Sequence, residues 1–421
     1  MSDKKEYLQP IKDLRALLND DPSLKEALKK SLKMAVDTAE EKLNPDLYSA
    51  INRVFKGNGW PKSIPNYMDY LRLYVRLVPN EENDPCYPLA WKSTDDKNGY
   101  NQKVYDLLCQ FYWLVNQPIN EKGETMQSFE KFAEWLIGFA KAWGAFCDTK
   151  ASITHETLMS FKHNPGYNFE LYADHEDTWD TFNKFFFREF NQANPVTGIT
   201  PLRPIADPEN NQTIVSPADC TYKKAYPIDD QGNVTEVVLK HTHTIGTIHD
   251  LLKGSEYEKD FYGGTFVHYF LGPFDYHRFH SPVKGKVKEI RAIHEKVYLD
   301  VIMQEDGQWD APDGAGNGYE FHQARGLIIV DAGPVVGKIA VLPIGMAQVS
   351  GVDMYTDKIK TGDHIVKGQE FGKFKFGGSD IIVLFQKAPD LYLFEKDPGR
   401  NPIHFQYGQT IAYWNEQNEL K

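Results

Sequence analysis

The chain has 421 residues, enough for two or three domains, and its 41% apolar and 25% charged residues exclude a wholly disordered protein. A net charge of −12 argues against nucleic-acid partners, and no run approaches the roughly 20 apolar residues needed to span a bilayer. Cys86, Cys109, Cys147 and Cys220 show no metal or disulfide spacing, and "MSDKKEYLQP" lacks the apolar core of a signal peptide, so a cytoplasmic location is expected.

The first part reads as helical. In "DPSLKEALKKSLKMAVDTAEEKL", Asp21 is placed to cap a helix with Pro22 at its first position, and Leu24, Leu28 and Leu32 recur at helical spacing. "YMDYLRLYVRLV" and "KVYDLLCQFYWLV" predict further amphipathic helices, set apart by joints such as "PNEENDPCYP". "FAEWLIGFAKAWGAFC", Phe132 to Cys147, is the most apolar run. Glu134 and Lys141 interrupt it, so a buried helix is expected, the alternative being a helix lying on a membrane surface. The texture changes after about Asn194. "NPVTGITPLRPIADPENNQ" is dense in Pro, Gly and Asn, and short β-branched and aromatic segments follow, among them "GTFVHYFL", "GLIIVDA", "GKIAVLPIG" and "DIIVLF". The expected fold class is α+β, a helical domain followed by a mostly antiparallel β domain.

Three segments of the β-rich half carry suggestive polar groups. Asp219 lies in "VSPADCTYKK", His277 and His280 in "GPFDYHRFHSPVKG", and Ser379 in "KFKFGGSDIIVLF". An Asp, a His and a Ser on separate segments can form a nucleophile, its base and an orienting carboxylate. Gly377 and Gly378 sharpen this. A serine hydroxyl attacks the carbonyl before it only where the backbone bends sharply, and glycine permits the bend. Such a stretch suits self-cleavage, whereas a β-bulge would explain the glycines without chemistry.

In order along the chain, "FFFREF", "PLRPIA", "VSPADC", "DYHRFHSPVKG", "VLPIGMAQVSG" and "VKGQEFGKFKFGGSDIIVLF" resemble the phosphatidylserine decarboxylase family of pyruvoyl enzymes, from about Thr178 to about Tyr413. The resemblance implies a helical domain over residues 1–177 and a decarboxylase domain over 178–421. It implies that the Gly378–Ser379 bond cuts itself and that Ser379 becomes a pyruvoyl cofactor, which forms a Schiff base with a substrate amine and draws electrons as CO₂ leaves. His280 would then be the base for Ser379, Asp219 would orient His280, and His277 would assist decarboxylation or reprotonation. Three departures stand out: Asp380 follows the serine where the family commonly has Thr, "HQARGLIIV" replaces an Asn-Glu-Arg segment, and "EDGQWDAPDGAGNGYE" is inserted before it.

"LQPIKDLRALLNDDPSL" further resembles the helical extension of fungal L-tryptophan decarboxylases, a soluble branch of the same superfamily. This likeness puts a small-molecule amino-acid substrate, with an aromatic one such as tryptophan as the narrower expectation, ahead of phosphatidylserine, with membrane contact not favoured and a homodimer implied by resemblance. A non-processed scaffold, with Asp380 as the lesion, is the remaining reading. His241, His243 and His249 could suggest a metal, but no further ligand at convincing spacing completes the set, so none is expected. "FFFREF" reads as core packing, with Arg188 as an alternative contact to substrate or to the cleavage region.

Overall fold

The computed structural model of the chain describes residues 6–81, 85–87, 90–91, 102–173, 178–191, 202–238, 245–297, 299–311, 318–346, 351–388, 390–395 and 402–414. They divide into two compact units. One comprises Met1–Phe169, Asp174–Phe185 and Lys296–Pro312; the other comprises Glu170–Ala173, Phe186–Glu295 and Asp313–Lys421. The division interleaves the segments near residue 177 and sends residues 296–312 out of the second unit into the first.

The first unit is helical. Asp21 caps the helix Pro22–Lys42, its carboxylate accepting from the backbone N–H of Leu24 at 3.1 Å. Leu24, Leu28 and Leu32 are buried in one stripe, each removal from water contributing ~1.5–3 kcal/mol. The expected amphipathic helices span Ile64–Tyr74 and Lys103–Trp113. The apolar run forms the helix Glu130–Cys147, which buries Phe132, Trp135, Leu136, Phe139 and Trp143. Its indoles are anchored inside the same unit. Trp135 Nε1 donates to the Pro10 carbonyl at 2.7 Å and Trp143 Nε1 to the Leu77 carbonyl at 3.1 Å. This is a core helix, not a surface left for lipid.

Part of the insertion completes this unit. Residues 302–310 form a small hairpin, Ile302–Met303 against Trp309–Asp310. The Ala311 N–H donates to the Tyr105 hydroxyl at 2.7 Å, and the Asn44 N–H to the Gly307 carbonyl at 2.9 Å. The loop-like composition of this stretch hid that role.

The second unit is built on an eight-stranded antiparallel sheet. In chain order its strands are β1 (Cys220–Pro227), β2 (Thr265–Leu271), β3 (Gly285–Ile293), β4 (Arg325–Asp331), β5 (Lys338–Met346), β6 (His364–Ile365), β7 (Gly378–Phe385) and β8 (His404–Phe405). Across the sheet they run β6-β3-β4-β5-β7-β2-β1-β8. The "DIIVLF" strand is therefore central, which suits its near-continuous apolar run. One core joins Phe266, Leu342, Ile344, Ile382 and Leu384 to Ile248, Leu251 and Phe321. A three-stranded sheet, Val352–Met354, Glu370–Phe374 and Arg278–His280, carries both the histidine segment and the strand that leads into β7.

Candidate active site

Ser379 is the second residue of β7. It pairs with Gly345 of β5 on one side and with Leu271 of β2 on the other. Gly377, just before the strand, has φ of 149°, a conformation that residues with a side chain rarely adopt. Ser379 is fully buried, and its hydroxyl has no hydrogen-bond partner among the described residues. A buried hydroxyl without a partner is costly, and such sites concentrate where chemistry occurs.

The histidine segment starts from the strand opposite. β2 ends at Leu271, beside Ser379, and the chain turns through Gly272 to reach His277 six residues later. Asp275 fixes this turn, accepting from the Gly272 N–H at 2.7 Å and from His404 Nε2 at 2.8 Å. "FFFREF" then braces it. The Phe186 ring stacks on His277 with centroids 3.9 Å apart, and Phe190 stacks on Tyr276 at 4.2 Å. Arg188 is buried and donates to the Phe274 carbonyl at 2.6 Å, its guanidinium 4.3 Å from the Tyr172 ring centre. These residues position the histidine segment.

The two histidines differ in surroundings. His277 is wholly buried, with neither ring nitrogen hydrogen-bonded to a described residue. Burial, reinforced by the Arg188 guanidinium, holds its pKa well below the ordinary value. Its backbone carbonyl accepts from the Phe374 N–H at 2.9 Å, and Phe376 lies edge-on to Phe186, so His277 packs against the segment leading to Gly377. His280 is also buried. Its Nδ1 donates to the Gly368 carbonyl at 2.9 Å, which leaves Nε2 as the unprotonated nitrogen, facing the Tyr276 hydroxyl at 3.3 Å. Burial lowers its pKa too, against the opposing pull of Glu370 and the Gly368 carbonyl. Both rings are thus neutral near pH 7.

Asp219 does not touch His280 as an orienting carboxylate. Its Oδ2 accepts from Arg203 at 3.1 Å, and its Oδ1 from the Tyr407 backbone N–H at 2.8 Å. Burial raises its pKa, and Arg203 works against that. The link to His280 is indirect. The Tyr407 ring stacks on the imidazole at 4.0 Å and 6°, and the His280 N–H donates to the Pro217 carbonyl at 2.7 Å, two residues before Asp219. The structure therefore brings Asp219 and His280 together through Tyr407, whereas the Ser379 hydroxyl bonds to neither histidine.

Sequence reasoning missed Gly368, Tyr276, Tyr407 and Arg203 as parts of the site. Gly368 has φ of 79°, a left-handed conformation that favours glycine, and a Cβ there would also press on the Ile205 side-chain tip at 2.5 Å. Beside it Lys367 is buried and donates to the carbonyls of Asp207, Asn210 and Thr213 at 2.6–2.7 Å, fixing the turn that presents the Gly368 carbonyl.

A profile of the phosphatidylserine decarboxylase family matches residues 182–413. The chain belongs to that family. Its members are pyruvoyl-dependent carboxy-lyases made as proenzymes, whose pyruvoyl group comes from a serine of their own chain. The chain is 28% identical over 305 residues to the phosphatidylserine decarboxylase proenzyme of Clostridium novyi, covering 70% of this chain and 90% of that one. It is 32% identical over 221 residues to phosphatidylserine decarboxylase proenzyme 3 of Schizosaccharomyces pombe, covering 52% of this chain but 20% of that protein. It is also 26% identical over 276 residues to the decarboxylase iboD of Amanita muscaria, covering 58% and 74%.

Among the described residues no helix is long and apolar enough to cross a membrane. His241 and His243 lie outside the described residues. His249 is an exposed partner of Glu258, with 2.9 Å between Nδ1 and Oε2.

Proposed function

We propose that this family member cuts its own chain between Gly378 and Ser379 and then decarboxylates a substrate bearing a primary amine α to the carboxylate. The observation that carries the reading is the buried, unpartnered Ser379 hydroxyl at the start of a central strand, directly after two glycines, inside the region the family profile matches. In the self-cleavage, Ser379 Oγ attacks the Gly378 carbonyl carbon and its proton passes to a neutral imidazole, His280 Nε2. The C–N bond breaks, leaving an ester and a free amine on residue 379. β-Elimination then releases a chain ending in the Gly378 carboxylate. Water replaces the nitrogen of residue 379, which leaves as ammonia.

The buried surroundings of residue 379 suit a small carbonyl group held away from bulk water. When formed, that group supplies the electron-withdrawing carbonyl that condenses with an amine. The chain's own residues do the rest. His277, neutral and packed between Phe186 and Phe374, is suited to hold or return a proton near residue 379, while Arg188 and Asp275 keep the segment in place.

For the substrate, the relatives whose names specify one name phosphatidylserine. That reverses the order drawn from the N-terminal likeness, and phosphatidylserine stands first. A free amino acid remains the second reading because the helical unit precedes the region the profile matches and the iboD relative is named simply as a decarboxylase. The deciding experiment gives purified, cleaved protein phosphatidylserine in detergent micelles, L-tryptophan, L-tyrosine and L-phenylalanine, and measures CO₂ and amine. Phosphatidylethanolamine formation is expected. An aromatic amine without phosphatidylethanolamine would reverse the order, and a full-length, inert protein would leave only the scaffold reading.

A further inference from the structure

Two of the departures from the family's pattern meet at one buried place. Asp380, which follows the reactive serine, is fully buried, with His268 Nε2 3.1 Å from its Oδ1. The Tyr319 hydroxyl donates to Asp380 Oδ2 and lies 3.3 Å from the same His268 nitrogen. Tyr319 belongs to the last turn of the inserted segment, the short helix Tyr319–Phe321. Asp380 is thus not a free charge beside the serine.

Asp380 lies opposite Phe270 of β2 and Ile344 of β5, and side chains alternate along a strand. Its carboxylate therefore points to the face opposite that of Ser379, the face that carries Ile382 and Leu384. The position matters once the chain is cut. Before cleavage, residue 379 is held from both directions along β7. Afterwards the strand begins at residue 379, and newly made strand ends fray. The nearest side-chain anchor is the next residue, Asp380, hydrogen-bonded to the inserted turn through Tyr319 and placed 3.1 Å from His268 of β2 as an ion pair.

We propose that Asp380, gripped by His268 and Tyr319, is a positioning residue that holds the start of β7 in register after self-cleavage, so that the group at residue 379 stays where a substrate amine can reach it. The inference rests on cleavage at Gly378–Ser379. An anchor of this kind acts on the reaction through geometry, where displacements of about 1 Å can cost ~100-fold in rate.

The test uses the full chain and three variants: Asp380→Asn, His268→Gln and Tyr319→Phe. Cleavage is read first by intact mass, so that a failure of self-processing in the wild type is seen separately and counts against the function reading. In cleaved protein, hydrogen exchange of the peptide covering residues 379–386 and kcat and KM on phosphatidylserine micelles and L-tryptophan are then measured. Expected are faster exchange confined to the start of β7 and a kcat about 10-fold lower with KM within about twofold, the size of coupling that neighbouring residues show. Asp380→Asn combined with His268→Gln should be no worse than the poorer single variant, a non-additivity that general destabilisation would not give. Tyr319→Phe removes one hydroxyl and decides the matter if the other two fail to fold. Cleaved variants with wild-type exchange and wild-type kcat would overturn the proposal, as would additive losses that track melting temperature.

Discussion

The His280 imidazole is oriented by a backbone carbonyl: its Nδ1 donates to Gly368 O at 2.9 Å. The bond fixes the tautomer without a carboxylate and leaves Nε2, 3.3 Å from the Tyr276 hydroxyl, as the nitrogen that can take a proton. The carbonyl is aimed by a left-handed turn that favours glycine at position 368, where φ is 79° and a side chain would be strained.

Gly368→Ala is accordingly expected to slow self-cleavage much as His280→Ala does, by ~100-fold or more, the usual scale for loss of a general base. His277→Ala should be cleaved yet turn over poorly. A gel time course of newly made protein separates the two classes. Cleavage of His280→Ala at the wild-type rate, with His277→Ala uncut, would reverse the roles.

Asp219 should act on stability as well as on processing. Asp219→Ala leaves Arg203 buried without its carboxylate and Tyr407 without an acceptor, a class of change that costs ~3–5 kcal/mol. Asp219→Asn keeps an acceptor for Tyr407 and should cost less. Urea unfolding of both variants in the uncut Ser379→Ala background checks the order, and equal midpoints for the two would contradict it.

The buried titratable groups predict opposite pH trends. Folded His277 and His280 resist protonation, so an unfolded chain binds more protons than the folded one as pH falls below 6.5, and stability drops there. Glu320 goes the other way. Burial pushes its pKa up to about 7 from 4.5, so its contribution is present at low pH and is lost as pH rises from about 4.5 through about 7. The gain of Glu320→Gln over wild type should therefore grow across that window and level off above pH 7. Urea midpoints at four pH values measure it, and a gain independent of pH would refute the assignment.

The α+β division was legible in the sequence because period and composition change together near residue 194. Ser379, His277, His280 and Asp219 stood out as candidates because each sits in a short segment of distinctive chemistry. Their wiring was not. Gly368 acts through its carbonyl, which leaves no side-chain signal, and Tyr407 reaches His280 by stacking across 127 positions of sequence. Asp219 has the composition of an orienting carboxylate, yet Arg203 from the Pro-rich joint takes it, a pairing that only the folded chain reveals. Asp380 stood out in the sequence as a departure after the serine, but its burial in β7 beside His268 left no sign there.

The most direct test of the central claim is the intact mass of the purified wild-type protein beside Ser379→Ala. The wild-type protein should give two chains, a large one ending at Gly378 and a small one beginning at residue 379 with a blocked N-terminus, and Ser379→Ala a single full-length chain without activity. A wild-type protein that remains one chain while releasing CO₂ from its substrate, or a Ser379→Ala protein that still divides at that bond, would contradict it.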